Sequence, residues 1–295
     1  MHYTYVLITP ARNEAEFIEL TIKSVVGQTD RPVKWVIVSD GSTDGTDEIV
    51  SEYAAEHRWI ELVRMPERTE RNFSGKVHAF NAGYARMKDV KYDVIGSLDG
   101  DISLDDEDYF AFLLSKLAED LGLGLVGTPY KDPSTDDYGF VNIEYVSGAC
   151  QLFRRECFEE IGGYVPVKEG GVDDIAVITA RMKGWKTRMF TDKRCLHHRA
   201  HGSAKHSALM VKFRDGALDY ALGGHPVWGL FRAVHQMTRR PFVLGGLMLL
   251  AGYASAMIRR VERPVSRELV EFHRREQMRR LRNYLMGNRP GAQTR

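Results

Sequence analysis

The sequence predicts an α/β fold with a mostly parallel sheet and helices on both faces, and two observations indicate it. Short apolar runs typical of buried strands alternate with helical patterns through the N-terminal third of the chain. Strands separated by helices of this length are joined by right-handed crossovers, which make neighbouring strands parallel. The chain has 295 residues, of which 43% are apolar, so it can bury one large domain or a domain with an appendage.

The predicted elements follow one another in a regular order. Strands are expected at residues 5–9, 35–39, 60–64 and 93–98, and the helices between them at residues 14–28, 47–57 and 76–87. Ligands of such sheets bind beyond the carboxyl ends of the strands. The loops that follow the first, second and fourth strands are therefore the candidate functional site.

Two carboxylates one residue apart follow the fourth strand, in the stretch Asp99-Gly100-Asp101. Mg²⁺ and Mn²⁺ favour carboxylate oxygens, and a cation held there would neutralise the diphosphate of a nucleotide-linked substrate. The glycine between the acids lets the backbone come close to such a ligand. Taken alone, the same stretch is also typical of an acidic surface turn, so its neighbours decide between the two interpretations.

The loops after the first two strands carry further polar residues. Asp40 is suited to accept a hydrogen bond from a nucleobase, although the segment 40–47 is equally typical of a turn followed by a helix N-cap. Glu14 either accepts ribose hydroxyls or is a first-turn carboxylate favoured by the helix dipole. Lys76, on the third helix, lies either on the surface or within reach of the nucleotide.

The order and spacing of these motifs resemble glycosyltransferase family 2. The resemblance covers about residues 4–202 and is carried by the segments Pro10-Ala11-Arg12-Asn13-Glu14, Ser39 to Thr46, Gly75-Lys76 with Asn81-Ala82-Gly83, Asp99-Gly100-Asp101, Val146 to Cys150 with Arg154, Gly162-Gly163-Tyr164, and Gly171 to Asp174 ahead of Arg181 to Trp185. It implies a GT-A fold, which is a Rossmann-like nucleotide-diphosphosugar transferase domain. It also implies transfer of a sugar to an acceptor hydroxyl with inversion at the anomeric carbon.

The same resemblance assigns ligands to individual residues. Asp101 is expected to bind a Mn²⁺ or Mg²⁺ ion, and Asp99 to lie in the ribose region or the metal shell. The nucleotide-diphosphosugar donor is expected to contact Pro10, Arg12, Glu14, Asp40, Lys76, Asp99 and Gly100. The cation then stabilises the departing nucleoside diphosphate as a Lewis acid.

An inverting displacement also needs a general base on the far side of the sugar. The resemblance gives this role to Asp173, but Val172 stands where the family usually has a glutamate, and Asp174 follows instead. Either aspartate is therefore a candidate base.

Histidines follow the strand predicted at residues 187–190, in the stretch His197-His198-Arg199-Ala200-His201. An imidazole can complete a metal site begun by carboxylates, so His198 is a candidate third ligand. The alternative is that the histidines and Arg199 hydrogen-bond a phosphate group.

The charge of the chain is divided unevenly. Residues 1–180 contain 17 Lys and Arg against 33 Asp and Glu, whereas residues 181–295 contain 24 against 7. A C-terminal half this basic is typical of proteins that bind an anionic partner, either nucleic acid or a phospholipid surface. The chain has no recognised nucleic-acid-binding motif, which favours an anionic membrane surface and predicts no nucleic-acid partner.

Residues 203–295 are predicted to form a helical membrane-associating region after a catalytic domain at residues 1–202. The run 242–258 has no charged residue and has arginines on both sides, which favours a hydrophobic hairpin or an in-plane segment over a single span. The helix predicted at 266–286 interleaves leucines with arginines, as helices on anionic lipid do. The alternatives are a buried core helix and a dimer interface, and the oligomeric state stays open.

The sequence thus predicts a metal-dependent enzyme on the cytoplasmic side of the cell membrane, attached as a monotopic or peripheral protein. The N-terminus has no secretory signal, and the three cysteines lack metal-like spacing, which suits a reduced setting. The expected acceptor is a saccharide, most simply a lipid-linked one. One alternative is a polyprenyl-phosphate sugar synthase, and another is a non-catalytic membrane-bound scaffold that binds nucleotide sugars or glycans.

Overall fold

The computed structural model of the chain describes residues 3–67, 73–131, 143–167, 170–199 and 208–287. These residues form two compact units, which divide the chain into residues 1–200 and 201–295. The boundary predicted after residue 202 falls within the segment 200–207, which lies outside the described residues.

The first unit combines strands and helices in alternation. Its strands are β1 (Tyr5–Ala11), β2 (Lys34–Asp40), β3 (Ile60–Met65), β4 (Val94–Leu98), β5 (Ile102–Leu104), β6 (Leu123–Gly127), β7 (Tyr130–Lys131), β8 (Cys150–Arg154), β9 (Lys186–Met189) and β10 (Cys195–His197). Its helices are α1 (Ile18–Val26), α2 (Thr46–Glu56), α3 (Phe73–Ala85), α4 (Tyr109–Glu119), α5 (Arg155–Glu160) and α6 (Val172–Met182).

Seven strands form a mostly parallel sheet in the order β3-β2-β1-β4-β8-β6-β9. Strand β1 runs parallel to both of its neighbours, β2 and β4, whereas β8 is antiparallel to β4 and β6. The predicted α/β fold is therefore confirmed. Because β1, β2 and β4 are adjacent and parallel, the loops that follow them lie at one edge of the sheet.

A second, smaller sheet brings a late segment of the chain to the same edge. It contains three strands in the order β5-β10-β7. In the antiparallel pairing of β5 with β10, His197 lies opposite Ile102. The backbone N–H of His198 also donates a hydrogen bond of 2.9 Å to the carbonyl oxygen of Asp101. The histidine stretch therefore adjoins the turn that holds the two carboxylates.

The core of the first unit lies on both faces of the large sheet. Tyr5 and Leu7 of β1 belong to the hydrophobic cluster on one face, and Val6 and Ile8 belong to the cluster on the other. Burial on two faces explains why the central strands are continuous apolar runs and why helices cover both sides. Gly83 of α3 allows that helix to approach the sheet closely, because a Cβ there would lie 2.7 Å from Cγ2 of Ile8.

The first helix begins later than predicted. Helix α1 starts at Ile18, whereas the sequence pattern indicated a start at Glu14. Asn13 has a positive φ of 54°, and the backbone N–H groups of residues 13–15 donate to side chains of the loop after β2 instead of joining a helix. Glu14 therefore precedes the helix and is not one of its first-turn carboxylates.

The second unit consists of helices. Those that the structure describes are α7 (Ala208–Ala221), α8 (Pro226–Met237), α9 (Leu244–Ile258) and α10 (Arg267–Leu285), and α9 packs against both α7 and α8. Within the described ranges, none of the helices has the length and apolar character that crossing a bilayer requires.

Glycines allow the helices of the second unit to pack closely. A Cβ on Gly216 of α7 would overlap the carbonyl oxygen of Leu249 on α9, and Gly252 of α9 lies equally close to Phe213. On its other flank α9 places Gly246 against the backbone of Ala233 on α8.

Helix α10 presents its apolar side chains inward. Ser266 caps its N-terminus by accepting a hydrogen bond of 3.2 Å from the N–H of Leu269. Leu269, Val270 and Leu281 are buried, and Val270 lies against Gly223. Much of the apolar face that the sequence pattern assigned to a lipid surface is thus covered by protein, whereas Leu285 at the end of the helix is 73% exposed.

Candidate active site

The candidate site lies at the carboxyl edge of the large sheet, where β1, β2 and β4 end side by side. Glu14 follows β1, Asp40 is the last residue of β2, and Asp99 and Asp101 follow β4. Asp40 and Asp101 are buried, and Glu14 and Asp99 are half-buried. The fold therefore collects acidic side chains from separate loops at one place.

Hydrogen bonds tie the loop after β1 to the loop after β2. The N–H of Asn13 donates to Oγ of Ser42 over 3.1 Å, and the N–H of Thr43 donates to Oδ1 of Asn13 over 2.9 Å. Asp44 accepts a further hydrogen bond of 3.0 Å from the N–H of Ala15. The polar residues that follow Asp40 therefore fix the shape of this edge of the site.

Asp40 and Arg12 lie opposite each other across these loops. Nη1 of Arg12 is 3.9 Å from Oδ2 of Asp40, and the Asp40 side chain is only 6% exposed. Pro10, in β1, is paired with Val38 in the parallel register. The contacts of Pro10, Arg12 and Asp40 with a nucleotide stay predictions.

Lys76 forms an ion pair with Asp99, with 2.5 Å between Nζ and Oδ1. Burial raises the pKa of Asp99, and the charge of Lys76 opposes this rise. Burial alone would lower the pKa of Lys76, but the charges of Asp99, Asp173 and Asp101 raise it above its ordinary value. Lys76 therefore belongs to the acidic cluster and is not an isolated surface lysine.

Asp101 lies beside an imidazole of β10 and a guanidinium that follows this strand. Its Oδ2 lies 3.5 Å from Nε2 of His197 and 3.4 Å from Nε of Arg199. Burial acts to raise the pKa of Asp101, but the hydrogen bond and charge of His197, together with the charge of Arg199, hold it below its usual value.

His198 occupies a different position from the one expected of a ligand beside Asp101. Its Nε2 lies 2.8 Å from Oγ of Ser103, and its ring stacks on Phe17 with the centroids 6.0 Å apart. Successive side chains at the end of a strand point to opposite sides, so β10 turns His197 toward Asp101 and His198 away from it. His198 as a metal ligand stays a prediction, and the structure adds His197 as the nearer imidazole.

Glu14 and Arg199 connect the first loop to the end of the second sheet. Oε2 of Glu14 is 2.5 Å from Nη2 of Arg199, whose guanidinium also lies over the ring of Phe17. Burial raises the pKa of Glu14 to about 7, with the charge of Asp101 adding to the rise and Arg199 opposing it. Arg199 thus bridges Glu14 and Asp101, which come from different strands.

Gly100 packs tightly against side chains of helix α1 and of the loop before it. A Cβ at this position would lie 3.3 Å from Cδ1 of Ile18 and 3.4 Å from Cγ of Glu14. Its carbonyl oxygen accepts a hydrogen bond of 2.9 Å from Oγ1 of Thr21. Contacts within the protein therefore fix the turn between the two carboxylates, independently of any ligand.

The candidate base lies in the first turn of α6. This helix follows Gly171, which has a φ of 79°, and it carries both Asp173 and Asp174 in its first turn. Oδ2 of Asp173 accepts hydrogen bonds of 3.1 Å from the hydroxyl of Tyr145 and from the N–H of Gly148. The Asp173 carboxylate is therefore oriented by a loop residue and by the segment before β8.

The acidic pair offers fewer ligands than a complete metal cage. Among the residues that the structure describes, no group of three or more His, Cys, Asp and Glu side chains is arranged to hold a metal ion. Asp99 and Asp101 supply two carboxylates, and Mg²⁺ is commonly bound by one or two carboxylates together with substrate phosphates and water. This donor set fits an ion shared with a bound diphosphate.

The sequence pattern did not single out two residues of this site, Tyr145 and His197. Tyr145 belongs to a long loop in which no pattern singles out one side chain, and its role depends on the separate helix that carries Asp173. His197 and His198 are neighbours in the sequence, so only the register of β10 distinguishes them.

Comparisons with known proteins bear on the first unit. Residues 6–140 match the family described as Glycosyl transferase family 2. The poly-beta-1,6-N-acetyl-D-glucosamine synthase of Staphylococcus epidermidis is 26% identical over 201 residues, which cover 60% of this chain and 44% of the synthase. The synthase of the same name from Staphylococcus aureus (strain COL) is 30% identical over 137 residues, which cover 46% of this chain and 31% of that synthase. The chain spans less than half the length of these curated relatives.

Solved structures share the fold over most of the chain. The mannosyltransferase PcManGT from Pyrobaculum calidifontis, in complex with GDP-Man and Mn²⁺, has a TM-score of 0.63 at 18% identity, covering 87% of this chain and 88% of that one. A fragment of S. aureus TarS in complex with UDP-GlcNAc has a TM-score of 0.54 at 15% identity, and the likeness covers 88% of this chain and 74% of that fragment. These likenesses confirm the predicted GT-A fold.

Proposed function

We propose that this chain, which carries a glycosyltransferase family 2 domain, is a metal-dependent inverting glycosyltransferase. It moves a sugar from a nucleotide-diphosphosugar to a hydroxyl of a saccharide, most simply a lipid-linked one, in surface polysaccharide or glycolipid synthesis. The observation that carries the proposal is that one short segment joins the acidic pair to the candidate base: Ala149 accepts a hydrogen bond of 3.0 Å from the N–H of Asp99, and the neighbouring Gly148 donates one of 3.1 Å to Asp173. Lys76 lies 2.5 Å from Asp99, and the charges of Asp99, Asp101 and Asp173 raise its pKa. One cation thus lies in electrostatic reach of both the acidic pair and the candidate base.

The donor is proposed to lie across the carboxyl edge of the sheet. In this arrangement the Asp40 carboxylate accepts a hydrogen bond from an N–H group of the nucleobase. The Glu14 carboxylate accepts hydrogen bonds from the ribose hydroxyls. Lys76 and Arg199 are the cationic groups nearest to the acidic pair, and both attract the diphosphate as its negative charge develops.

A Mn²⁺ or Mg²⁺ ion held by Asp101 and Asp99, with a histidine of the β10 segment, would supply Lewis-acid stabilisation of the departing diphosphate. Two carboxylates one residue apart, with an imidazole 3.5 Å from one of them, are the oxygen and nitrogen donors that such ions accept. The turn at Gly100 is fixed by a hydrogen bond from Oγ1 of Thr21 to the Gly100 carbonyl oxygen and keeps the two carboxylates close together.

Asp173 is proposed to act as the general base. As its Oδ1 accepts the proton of the acceptor hydroxyl, the hydroxyl oxygen bonds to the anomeric carbon on the face opposite the diphosphate. The bond from that carbon to the diphosphate breaks, so the configuration inverts and the nucleoside diphosphate leaves. We assign the proton to Oδ1 because Tyr145 and Gly148 both donate to Oδ2.

The proposed location is the cytoplasmic face of the cell membrane, with monotopic or peripheral attachment through the second unit. Exposed apolar side chains and arginines in residues 227–260 support this location. A lipid-linked acceptor would be present at that surface.

A donor panel tests the activity. The full chain is incubated with UDP-GlcNAc, GDP-mannose and other sugar nucleotides in the presence of Mn²⁺ or Mg²⁺, with and without membrane extract, and nucleoside-diphosphate release is measured. We expect release from at least one donor, and we expect EDTA and Asp173→Asn each to abolish it.

Different results would contradict different parts of the proposal. Release from no donor under any condition would favour a binding scaffold over an enzyme. Release that survives EDTA would contradict the metal dependence alone. A product in which the sugar is joined to a lipid phosphate would instead identify a polyprenyl-phosphate sugar synthase.

A further inference from the structure

We propose that the outward side of helix α9 is the surface through which the chain inserts into an anionic lipid layer. This side, termed here the α9 stripe, consists of residues spaced alternately by three and four positions, namely Leu244, Leu247, Ala251, Ala254 and Ile258. Such spacing places them on one face of a helix along its whole length. The inference rests on the proposed membrane location and specifies which surface makes the contact.

The α9 stripe is exposed, although α9 contains no charged residue. Leu244 is 56%, Leu247 49% and Ile258 77% exposed. The opposite side of the helix is fully used for packing against α7 and α8 through small residues such as Gly246 and Gly252. A helix on the surface of a water-soluble bundle ordinarily carries polar side chains on its outer face, so the stripe lacks the residues that water would favour.

The exposure of large apolar side chains is concentrated in the second unit. Among the described residues, the first unit exposes Leu20, Val33, Leu121 and Val165. The second unit, with fewer residues, exposes Met210, Val227, Leu230, Val234, Phe242, Val243, Leu244, Leu247, Met257, Ile258, Tyr284, Leu285 and Met286. Isolated exposed apolar side chains are ordinary, but so high a proportion of them in one unit is typical of an interaction surface.

The charges around the stripe select a lipid surface as the occupant. Arg239 and Arg240 precede α9, Arg259 and Arg260 follow it, and all four are exposed. Residues 239–261 contain these arginines and no acidic residue. Anionic headgroups would complement such a rim, because each arginine near an anionic lipid surface adds to the attraction. Two copies of the chain meeting through this face would instead bring like charges together.

Vesicle flotation of the full chain tests the inference without any sugar-transfer assay. Vesicles of phosphatidylcholine and phosphatidylglycerol in equal parts are compared with vesicles of phosphatidylcholine alone. We expect the chain to float with the mixed vesicles and to bind the neutral ones at least about tenfold more weakly, because the arginine rim loses its anionic partners.

Substitutions in the stripe separate insertion from charge attraction. The double variant Leu247→Ser with Ile258→Ser is expected to bind mixed vesicles about tenfold or more weakly, since two exposed apolar side chains no longer enter the lipid. Leu121→Ser is the control, because this leucine of the first unit is 67% exposed, between Leu247 and Ile258, and it is expected to bind as the parent does. Ala251→Leu enlarges the middle of the stripe and is expected to bind mixed vesicles more tightly, while unfolding in urea at the same concentration as the parent.

The overturning results are distinct from a failure of the proposed function. If the parent chain does not float with mixed vesicles, or if the double variant and Ala251→Leu bind as the parent does, the stripe is not a lipid-inserting surface. If the parent is a dimer in sedimentation analysis and the double variant dissociates it without changing flotation, the stripe is an interface between copies. A chain that floats as expected but releases no nucleoside diphosphate would contradict the transferase activity and leave this surface standing.

Discussion

The hydroxyl of Tyr145 donates a hydrogen bond of 3.1 Å to Oδ2 of Asp173, and the same oxygen accepts a second one from the N–H of Gly148. A Cβ on Gly148 would lie 3.0 Å from that oxygen, so the backbone approaches the carboxylate as closely as it can. Burial raises the pKa of Tyr145 well above its ordinary value, so the tyrosine is a neutral donor. Tyr145 is therefore a positioning residue for the proposed base.

Tyr145→Phe removes one of the two hydrogen bonds that orient Asp173. We expect the turnover rate to fall about three- to tenfold, which corresponds to roughly 1 kcal/mol for a lost hydrogen bond. Donor affinity should not change, because the hydroxyl of Tyr145 donates to the candidate base and not to a residue assigned to the nucleotide. Steady-state kinetics and calorimetric titration with nucleoside diphosphate measure the two quantities separately.

Tyr53→Phe is the matched control for this prediction. Tyr53 also donates a hydrogen bond of 3.1 Å to a carboxylate, in this case Oε1 of Glu19, away from the candidate site. Its loss should leave turnover unchanged. An equal fall in both variants, or weaker donor binding in Tyr145→Phe, would contradict a specific role in orienting the base.

Asp173→Asn and Asp174→Asn distinguish the two candidate bases. An amide cannot accept the hydroxyl proton, so loss of the true base should lower turnover at least about a hundredfold. We expect this loss for Asp173→Asn with nucleotide affinity unchanged, and a much smaller effect for Asp174→Asn. A severe loss only in Asp174→Asn would move the role of base to that residue.

The positions of the acidic residues could be predicted from the sequence because they depend on local pattern and topology. Asp40 and Asp99 each follow a buried strand, and the carboxyl ends of adjacent parallel strands meet at one edge. The choice between His197 and His198 could not be made, because it depends on the register of a three-residue strand paired with a distant one. Tyr145 was equally inaccessible, since its partner belongs to a different element.

The second unit shows a different limit of sequence patterns. Amphipathic periodicity located α10, but it could not say whether the apolar face meets lipid or protein, because both remove the same side chains from water. Leu269 and Leu281 turn out to be buried. Most of the large apolar side chains left exposed in this unit lie instead on α8, on α9 and in the segment between them, and a smaller group lies at the C-terminal end of α10.

Glu14→Gln should change how the stability of the chain depends on pH. The pKa of Glu14 is raised from 4.5 to about 7, chiefly by burial, so the folded chain holds this proton more tightly than the unfolded chain does. Folding is therefore disfavoured progressively as the pH rises from about 4.5 to 7, and the cost is complete above that range. The glutamine variant carries no such cost.

At pH 8 we expect the Glu14→Gln variant to be more stable than the parent by about 1 to 3 kcal/mol, and at pH 4.5 the two should be nearly equal. Urea unfolding in the presence of EDTA measures the free energies at both pH values. Equal pH dependence of the two proteins would show that the carboxylate is ionised in the folded chain without a penalty, through its pairing with Arg199.

Lys76→Met should affect metal and donor binding in opposite directions. Lys76 neutralises Asp99 in the absence of ligands, so its removal leaves the acidic pair more negative. Free Mn²⁺ should then bind roughly tenfold more tightly, whereas nucleoside diphosphate should bind more weakly because it loses a cationic partner.

Electron paramagnetic resonance of bound Mn²⁺ and calorimetric titration of the nucleotide give the two affinities. Lys34→Met is the control, because Lys34 makes a comparable ion pair with Glu61, 2.8 Å apart, at a different position on the sheet. Weaker binding of both ligands to Lys76→Met would mean that the lysine supports the site as a structural element, and would contradict its assignment to the diphosphate.

Gly216→Ala should destabilise the second unit, because α7 and α9 touch backbone to backbone at this position. A Cβ there would overlap the carbonyl oxygen of Leu249, and neither helix backbone can yield as a flexible side chain would. We expect a loss of about 1 to 3 kcal/mol in the free energy of unfolding, the usual range for overpacking.

Gly229→Ala is the control within the same unit, because a Cβ at Gly229 meets its nearest neighbour, Oδ2 of Asp219, at 3.6 Å. Alanine at this helical position should be tolerated or should stabilise by up to about 1 kcal/mol. Chemical denaturation followed by circular dichroism compares the two variants, and a Gly216→Ala chain as stable as Gly229→Ala would show that α7 and α9 are packed less closely than the structure places them.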